Sequence, residues 1–307
     1  MSSDAIDEFT SSVNPAATRV KELPPIVLVF GGKLGGAHDS ARQMFLNWLT
    51  AKRHFIDRLV RLPERFENWN NFEGYDNLID FERDAASLAK AIVLFPESAG
   101  SFAELGAFCM DDVIAERLFV VIDAAHYEAG SFIAHGPIKK IERHYDGAIC
   151  VVDSIVPAEI EKELNQVADA LSEKINSIPK TVGFDPKRQR DQFLLVVDVV
   201  DLFGAITLNE LRDLMRFMGV EIGRTRLEQV VNQIRRFELL ESVDKLTKRF
   251  LVPPVIRQHY LDYEASKSSE APPFDRARFK MKHSIPWLKK DITRGQAYLT
   301  IHTRGLV

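Results

Sequence analysis

The chain has few of the features that mark secreted, membrane or disulfide-rich proteins. Its 307 residues include two cysteines, Cys109 and Cys150, which excludes a disulfide framework. Both lie in apolar surroundings, so we expect buried thiols in a reducing cytoplasm. No apolar run approaches the ~20 residues that cross a bilayer, and residues 1–21 lack the apolar core of a signal peptide. We therefore expect a cytoplasmic protein with no membrane contact.

Motifs of several enzyme classes are also missing. The sequence has no Gly-x-Ser-x-Gly nucleophile elbow and no His/Cys/Asp cluster with metal-ligand spacing. A glycine-rich segment at residues 31–36 lacks both the Gly-Lys-Ser/Thr of a P-loop and the Gly-x-Gly-x-x-Gly of dinucleotide-binding folds. We expect no metal and no resident cofactor.

Both parts of the chain are rich in charged residues, but the sign of the net charge differs between them. Residues 1–179 hold 17 Lys and Arg against 28 Asp and Glu, whereas residues 180–307 hold 23 against 16. The first part is therefore acidic and the second basic. This split predicts two units with different partners, the second of which tolerates or seeks a polyanion.

The acidic part alternates apolar runs with helical periodicity, which predicts an α/β fold with a doubly wound, parallel, five-stranded sheet. After a polar leader (1–25), we assign residues 26–178 to this domain. Residues 63–77 have no clear period and suit a loop over a site, and residues 157–178 predict one long helix. The expected strands are 26–30, 55–62, 91–95, 118–123 and 148–152.

The basic part has a different pattern. A linker (179–190) leads to three short helices and a β-hairpin, the order of a winged helix-turn-helix domain (191–256). Two of these helices begin with a capping box, at Thr207–Glu210 and Thr225–Glu228. The remaining basic tail (257–307) carries Phe279, Trp287 and Tyr298. Such a tail suits stacking on a single-stranded nucleic acid, or it folds back on its own domain.

The most informative segment runs from Phe95 to Phe108. A buried strand is followed by a small-residue turn and by a helix that we expect to open at Ser101. Open α/β sheets bind ligands at this end of their strands. Glu104 would then lie in the first helical turn, close to amides that attract anions. The spacing Ser101-x-x-Glu104 is also that of a capping box, which would carry no chemistry.

Other candidate ligand contacts surround this segment. Gly31 and Gly32 follow the first strand and allow a ligand to approach the backbone, unless they only form a tight turn. Asp80, Glu82 and Asp84 lie on the helix before the third strand, where one of them could orient a sugar hydroxyl. The full set of expected contacts to the substrate is Gly31, Gly32, Asp80, Ser98, Gly100, Ser101, Ser131 and Gly136.

The third helix of the basic part presents a polar face that includes Asn232 and Arg235. In a winged helix this face meets nucleic acid, although a polar helix face is often simply solvated. The hairpin carries basic residues where contacts to phosphates would fall. The predicted contacts to nucleic acid or a nucleoprotein partner are Arg226, Gln229, Gln233, Arg236, Lys245, Lys248 and Arg249.

Together these segments resemble a known family. Residues 82–84 (Glu-Arg-Asp), the following strand and the run from Glu97 to Phe108 with its Glu104-Leu105-Gly106 core resemble nucleoside 2-deoxyribosyltransferase-like proteins. With the appended helices and hairpin, the chain looks like the effectors of type II retron anti-phage systems. The sheet domain carries most of this likeness.

The resemblance implies a function. Glu104 matches the family glutamate that acts at the anomeric carbon, and the family aspartate falls on Asp84, or on Asp80 in another helix register. Effectors of this kind resemble enzymes that hydrolyse NAD or nucleotides as substrates. Their partners are a reverse transcriptase and its multicopy single-stranded DNA. We also expect a homo-oligomer or filament. Glu97-Ser98 replaces a frequent aspartate of the transferases, so water is the expected acceptor.

Two other interpretations remain open at this level. The first is a transcription regulator whose sheet domain senses a nucleotide without turnover. The second is a phosphoribohydrolase of the lysine-decarboxylase-like type, which expects Pro-Gly-Gly-x-Gly-Thr before the glutamate, where this chain has the single Gly100.

Overall fold

The computed structural model describes residues 4–35, 40–62, 75–179, 181–266 and 274–303. The chain forms two compact units. One, the sheet unit, comprises Pro24–Ile178, and the other, the helical unit, combines Met1–Leu23 with Pro179–Val307. In the described part of the chain, no helix is both long and apolar enough to cross a membrane.

The first residues belong to the helical unit instead of forming a separate leader. They form α1 (Asp4–Ser12) and β1 (Val13–Val20). Phe9 is fully buried and meets the rings of Phe203, Tyr263 and Phe279 edge-on, at centroid distances of 5.1–6.0 Å. The apolar residues that anchor this segment are too widely spaced to stand out in its polar composition.

The sheet unit confirms the expected α/β architecture with a five-stranded parallel sheet. Its strands stand in the order β3-β2-β4-β5-β6, and all neighbouring pairs are parallel. The strands are β2 (Val27–Phe30), β3 (Val60–Arg61), β4 (Ala91–Leu94), β5 (Leu118–Asp123) and β6 (Ile149–Val152).

Helices connect these strands. They are α2 (Ala41–Ala51), α3 (Leu78–Leu88), α4 (Ala99–Phe108), α5 (Asp112–Ala115), α6 (Ala124–Glu128), α7 (Lys139–His144), α8 (Pro157–Ile160) and α9 (Leu164–Ser177). A π-helical turn (Ala134–Ile138) precedes α7. Apolar residues of α2 and α9, such as Phe45 and Leu171, pack in one core with Val29 and Val93 of the sheet.

Two elements differ from the sequence-based expectation. The second strand, expected over 55–62, is a 3-10 turn (Phe55–Arg58) followed by the two-residue β3, because the His54 ring caps the turn and Phe55 is exposed. The long helix expected over 157–178 is broken between α8 and α9. Most of the loop expected at 63–77 lies outside the described residues.

The helical unit begins with β7 (Val182–Gly183), which pairs with β1 inside the expected linker. Three helices and an antiparallel hairpin follow, in the expected order. They are α10 (Gln189–Phe203), α11 (Leu208–Phe217), α12 (Arg224–Arg236), β8 (Glu241–Lys245) and β9 (Lys248–Val252). Thr207 and Glu210 form the expected capping box of α11, whereas α12 begins after Gly223 without a side-chain cap.

The tail folds back on this unit, which is the second of the two alternatives that the sequence left open for it. Its elements are β10 (Leu261–Ala265), α13 (Arg276–Phe279), a π-helical turn (Lys280–Ser284), α14 (Ile285–Lys290) and α15 (Ile292–His302). β10 pairs with β1. Phe279 and Trp287 are buried, and the Arg294 guanidinium lies 3.7 Å from the Trp287 ring centre.

Buried ion pairs hold this tail against α10. Arg276 donates to the carboxylates of Asp198 and Asp201, each at 2.7 Å, and Lys280 donates to Asp201 at 2.7 Å. Asp198 also accepts from the amides of Tyr260 and Leu261. Burial raises the pKa of Asp201, but the charges of Arg276 and Lys280 outweigh it and hold that pKa below its usual value.

We expect Asp201→Asn to destabilise the chain by about 3 kcal/mol at neutral pH, because Lys280 loses the carboxylate with which it pairs and Arg276 loses one of its two. The lowered pKa makes this contribution complete above about pH 4 and lost as the pH falls through the folded-state pKa. The loss relative to wild type should therefore shrink below about pH 4.

Urea unfolding of both proteins between pH 7 and pH 3 measures this difference. Asp213→Asn is the matched control, because Asp213 pairs with Arg216 on an exposed surface. It should cost less than about 0.5 kcal/mol at every pH. A pH-independent loss for Asp201→Asn would contradict the electrostatic account.

Candidate functional site

The carboxyl ends of β2 and β4 lie side by side at the centre of the sheet. The chain leaves β2 toward β3 on one side, and it later continues from β4 toward β5 on the other. Open α/β sheets form a ligand-binding crevice at such a reversal. The turns after Phe30 and Leu94 therefore define the candidate site.

Glu97, which the sequence analysis did not select as a site residue, connects these two turns. Its Oε1 accepts from the amides of Gly32 (2.9 Å) and Arg42 (3.1 Å), and its Oε2 accepts from the amide of Ala41 (2.6 Å). Ala41 and Arg42 open α2, where amides have no intrahelical acceptor. A side chain from the turn after β4 thus caps the helix that follows β2.

The two expected ligand-contacting glycines allow this approach. A Cβ on Gly32 would lie 2.8 Å from the Ser40 Cβ and 3.0 Å from the Glu97 carboxylate carbon. Gly31 has φ +152°, and a Cβ there would lie 3.0 Å from the Phe95 Cβ. The group that comes close to this backbone in the structure is the Glu97 carboxylate.

The start of α4 corrects the expected helix boundary. The helix begins at Ala99 with Ser98 as its N-cap, and Ser98 and Ser101 form the capping box. The Ser101 hydroxyl also accepts from the amides of Glu97 (3.0 Å) and Ser98 (2.9 Å). The pair Ser101 and Glu104 is therefore not the capping box, because the helix starts two residues earlier.

Glu104 consequently lies in the second turn of α4 and not in the first. Its side chain is half-buried, and its Oε2 atom is buried. Gly100, in the first turn, is exposed, and a Cβ there would lie 3.8 Å from the Ser98 hydroxyl oxygen. The helix thus presents an exposed amide end and, one turn later, a partly buried carboxylate.

The helix before β4 contributes a second carboxylate. The helix α3 runs back to the start of β4, so its first turns lie at the carboxyl edge of the sheet. Asp84 is 2% exposed, and the Tyr75 hydroxyl donates to its Oδ2. Asp80 is exposed and pairs with the side-chain amide of Asn77 at 2.8 Å. Of the two, Asp84 is the one directed into the protein.

An aspartate–histidine pair that the sequence analysis missed follows β5. The Asp123 carboxylate caps α6 and contacts Nδ1 of His126 at 2.7 Å. The His126 ring lies 5.6 Å from the ring of Phe102 on α4. Asp123-x-x-His126 at the end of an apolar run is the signal that could have indicated this pair.

The remaining candidates after β5 make local contacts. The Ser131 hydroxyl accepts from the Ala134 amide at 3.3 Å. Gly136 lies within the π-helical turn, and a Cβ there would lie 3.5 Å from the Phe132 ring. Hydrogen bonds join Gly32, Glu97, Ser98 and Ser101 into one cluster, whereas the bond of the Ser131 hydroxyl is to the nearby Ala134 amide.

In the helical unit, a cleft of about 640 Å³ opens between α12 and the hairpin. Its charged lining residues are Arg224, Glu228, Arg235, Asp244, Lys248 and Arg249. Two pairs are internally neutralised, Arg224 with Glu228 (3.0 Å) and Arg249 with Asp244 (2.8 Å). The hydrogen bond from Arg249 lowers the pKa of Asp244. Arg235 and Lys248 give the cleft its net positive charge.

Only some of the predicted nucleic-acid contacts line this cleft. Lys248 and Arg249 line the cleft, as does Arg235, whereas Lys245 is half-buried. Gln233 is 1% exposed, so it belongs to the core and not to the surface contacts for which it was predicted. Arg226 lies over the Phe193 ring of α10 at 5.9 Å and bonds Gln229, on another side of α12 than the cleft. Arg236 is half-buried.

Across the described ranges, no group of three or more His, Cys, Asp or Glu side chains could hold a metal ion. Burial raises the pKa of the Cys150 thiol to about 11, which keeps it protonated and unreactive.

The chain thus combines two kinds of unit. One has a parallel α/β sheet with carboxylates and helix starts at one edge, and the other has a basic cleft. The family of the STM3845 retron effector protein matches residues 38–246, about two thirds of the chain. The chain belongs to this retron effector family.

Two curated relatives come from Escherichia coli. The chain is 30% identical over 161 residues to a protein named "Retron Ec73 putative ribosyltransferase/DNA-binding protein", which covers 48% of this chain and 51% of that protein. It is 31% identical over 118 residues to the "Retron Ec86 putative ribosyltransferase/DNA-binding protein", covering 38% and 37%. The chain thus spans about half of the length of the first relative and less of the second.

We expect Gly32→Ala to destabilise the chain by about 1–3 kcal/mol, because its Cβ would overlap Ser40 and displace the Glu97 carboxylate. Gly106→Ala is the matched control on α4, since nothing lies within 4 Å of its added Cβ. The control should be neutral or stabilising by about 0.5–1 kcal/mol. Midpoints of urea unfolding test both, and equal effects would contradict the close approach at Gly32.

Proposed function

We propose that this chain is the effector of a retron anti-phage system and that its sheet unit cleaves the N-glycosidic bond of NAD or a related nucleotide. The observation that carries the proposal is Glu104, a half-buried carboxylate one turn into the helix that follows a central strand. The relatives named ribosyltransferases support glycosyl chemistry at this position.

The finer fold assignment belongs to the same proposal. The strand order β3-β2-β4-β5-β6 supports a flavodoxin-like, nucleoside deoxyribosyltransferase-like sheet. The three helices followed by a hairpin support a winged helix-turn-helix domain. The domain boundaries expected from the sequence need one change, since residues 1–23 and the tail complete the helical unit.

In the proposed reaction, Glu104 stabilises or attacks the anomeric carbon as the bond to the base breaks. The base leaves with the bonding electron pair, and nicotinamide needs little acid catalysis because it is already cationic in NAD. A water molecule then adds to the anomeric carbon and loses a proton, and where Glu104 has bonded to that carbon, the water displaces its carboxylate. Fixed carboxylates stabilise developing positive charge well in a partly dehydrated crevice.

Asp84 and the start of α4 complete the proposed site. Asp84, oriented by the Tyr75 hydroxyl, would accept from a sugar hydroxyl. Amides at a helix start attract anions, so the exposed Gly100 end of α4 would bind a substrate phosphate. Asp80, Ser131 and Gly136 would contact the substrate at the rim.

The helical unit would dock on nucleic acid. We propose that the cleft between α12 and the hairpin meets the phosphate backbone of the multicopy DNA held by the retron reverse transcriptase. Arg235 and Lys248 support this role, because with Arg224 and Arg249 they make four cationic side chains in a cleft lining that holds two carboxylates, Glu228 and Asp244. The opposite charges of the two sequence halves support assembly into a homo-oligomer or filament. A DNA-binding regulator that senses a nucleotide without turnover is the alternative.

We expect Glu104→Gln to lower the rate of base release by at least about a hundredfold, because the neutral amide cannot stabilise the developing cation. Free base released from NAD and from deoxynucleotides is measured by chromatography. Glu161→Gln, an exposed glutamate beside α8, is the matched control and should leave the rate unchanged. Full activity of Glu104→Gln at an unchanged melting temperature would overturn the catalytic role, and wild type without turnover would favour the regulator.

We expect Arg235→Glu and Lys248→Glu each to weaken binding to a DNA hairpin about tenfold and to reduce the salt dependence, because each removes a phosphate contact. Fluorescence anisotropy at several NaCl concentrations measures both quantities. Arg216→Glu on α11 is the matched control outside the cleft and is 55% exposed. An equal loss in this control would mean that only net charge matters.

A further inference from the structure

The Glu97 carboxylate is placed where an anionic ligand of a βα turn would bind. We define the anion seat as the three amides of Gly32, Ala41 and Arg42. All three donate to Glu97, at 2.9, 2.6 and 3.1 Å. The next amide of α2, that of Gln43, donates to the Ser40 hydroxyl at 3.0 Å. Every one of these four donors thus has a partner from the protein itself.

The partner comes from far along the chain and is held rigidly. Glu97 stands 65 residues from Gly32 and 55 residues from Arg42. Its own amide donates to the Ser101 hydroxyl at 3.0 Å, so its backbone is fixed to the start of α4. The backbone of Glu97 is therefore fixed at the start of α4, while its carboxylate is bonded to the start of α2.

The glycines around the anion seat are fitted to this carboxylate. A Cβ on Gly31 would lie 3.1 Å from the Glu97 Oε1, and one on Gly32 would lie 3.0 Å from the same atom. A glycine pair at this place would usually be interpreted as room for a ligand phosphate. Here that room is filled by a side chain of the same charge.

We propose that Glu97 is a specificity-determining residue that occupies the anion seat and keeps the phosphate of a ligand out of it. A carboxylate has about four acceptor positions, and contacts with the described residues use three of them. The fourth, on Oε2, can accept from a hydroxyl group and repels a phosphate. The anion seat therefore suits the neutral sugar face of a glycosyl donor, and the phosphate lies elsewhere, at the exposed start of α4.

This inference rests on the proposed glycosidase function for the identity of the ligand, but the occupied anion seat can be tested without turnover. The experiment uses the full chain and inorganic phosphate as the probe. Glu97→Ala empties the anion seat, whereas Glu97→Gln fills it with a neutral group that keeps one acceptor oxygen. Glu163→Ala is the matched control in the same unit, because Glu163 accepts from the Asp153 amide with both oxygens at 3.0 Å but faces no glycine turn.

Phosphate should raise the melting temperature of Glu97→Ala by about 3 °C more than NaCl of equal ionic strength does. Wild type, Glu97→Gln and Glu163→Ala should show no such difference. If Glu97→Ala is recovered unfolded, its refolding yield should rise in phosphate and not in NaCl. An equal phosphate effect in wild type, or none in Glu97→Ala, would overturn the proposal.

A second measurement tests the specificity itself. Glu97→Gln should raise kcat/KM for a nucleoside 5′-monophosphate relative to that for the nucleoside by about fivefold, because it removes charge repulsion at a partly exposed site. A purely structural role would lower both values alike, and an unchanged ratio would overturn the specificity role. If wild type releases no base from any donor, the glycosidase proposal fails, while the melting experiment still decides whether the anion seat is filled by Glu97.

Discussion

The sheet unit depends on one carboxylate that joins its two central turns. Neighbouring parallel strands place their turns side by side, but backbone pairing stops at the strand ends. Glu97 continues the connection beyond β4 by accepting from three amides of the turn after β2. A charged acceptor at a helix start stabilises both the helix and the ion. The relative position of α2 and α4, and with it that of Glu104, therefore follows from this contact.

The helical unit has an equivalent constraint in its buried ion pairs. Asp198 and Asp201 lie on α10, whose surroundings are otherwise apolar, and they are matched by Arg276 and Lys280 from the tail. Buried ion pairs add little net stability over apolar packing, but an unmatched buried charge is costly. The two carboxylates thus specify which segment must cover α10. The tail is part of the domain core and not a separate nucleic-acid arm.

The sequence predicted the parallel sheet because the strands β2, β4 and β5 are continuous apolar runs with a strong local signal. It did not predict that residues 4–20 pack in the helical unit, and it left open whether the tail is an arm or folds back. The anchors of both segments are isolated residues, such as Phe9 and Arg276, whose partners lie far away in the chain. The start of α4 was misplaced because Ser98 and Ser101 both fit a cap, and only the backbone geometry distinguishes them. Glu97 was passed over because a contact across 65 residues leaves no local pattern.

The boundary of α4 changes how Glu104 should be interpreted. In a capping box, the Glu104 carboxylate would accept from an amide at the helix start and would stabilise the helix. Because Ser98 and Ser101 cap the helix between themselves, Glu104 is held one turn further on, with one oxygen buried. The start of α4 is therefore stabilised by the two serines, and the Glu104 carboxylate lies beyond the capping box.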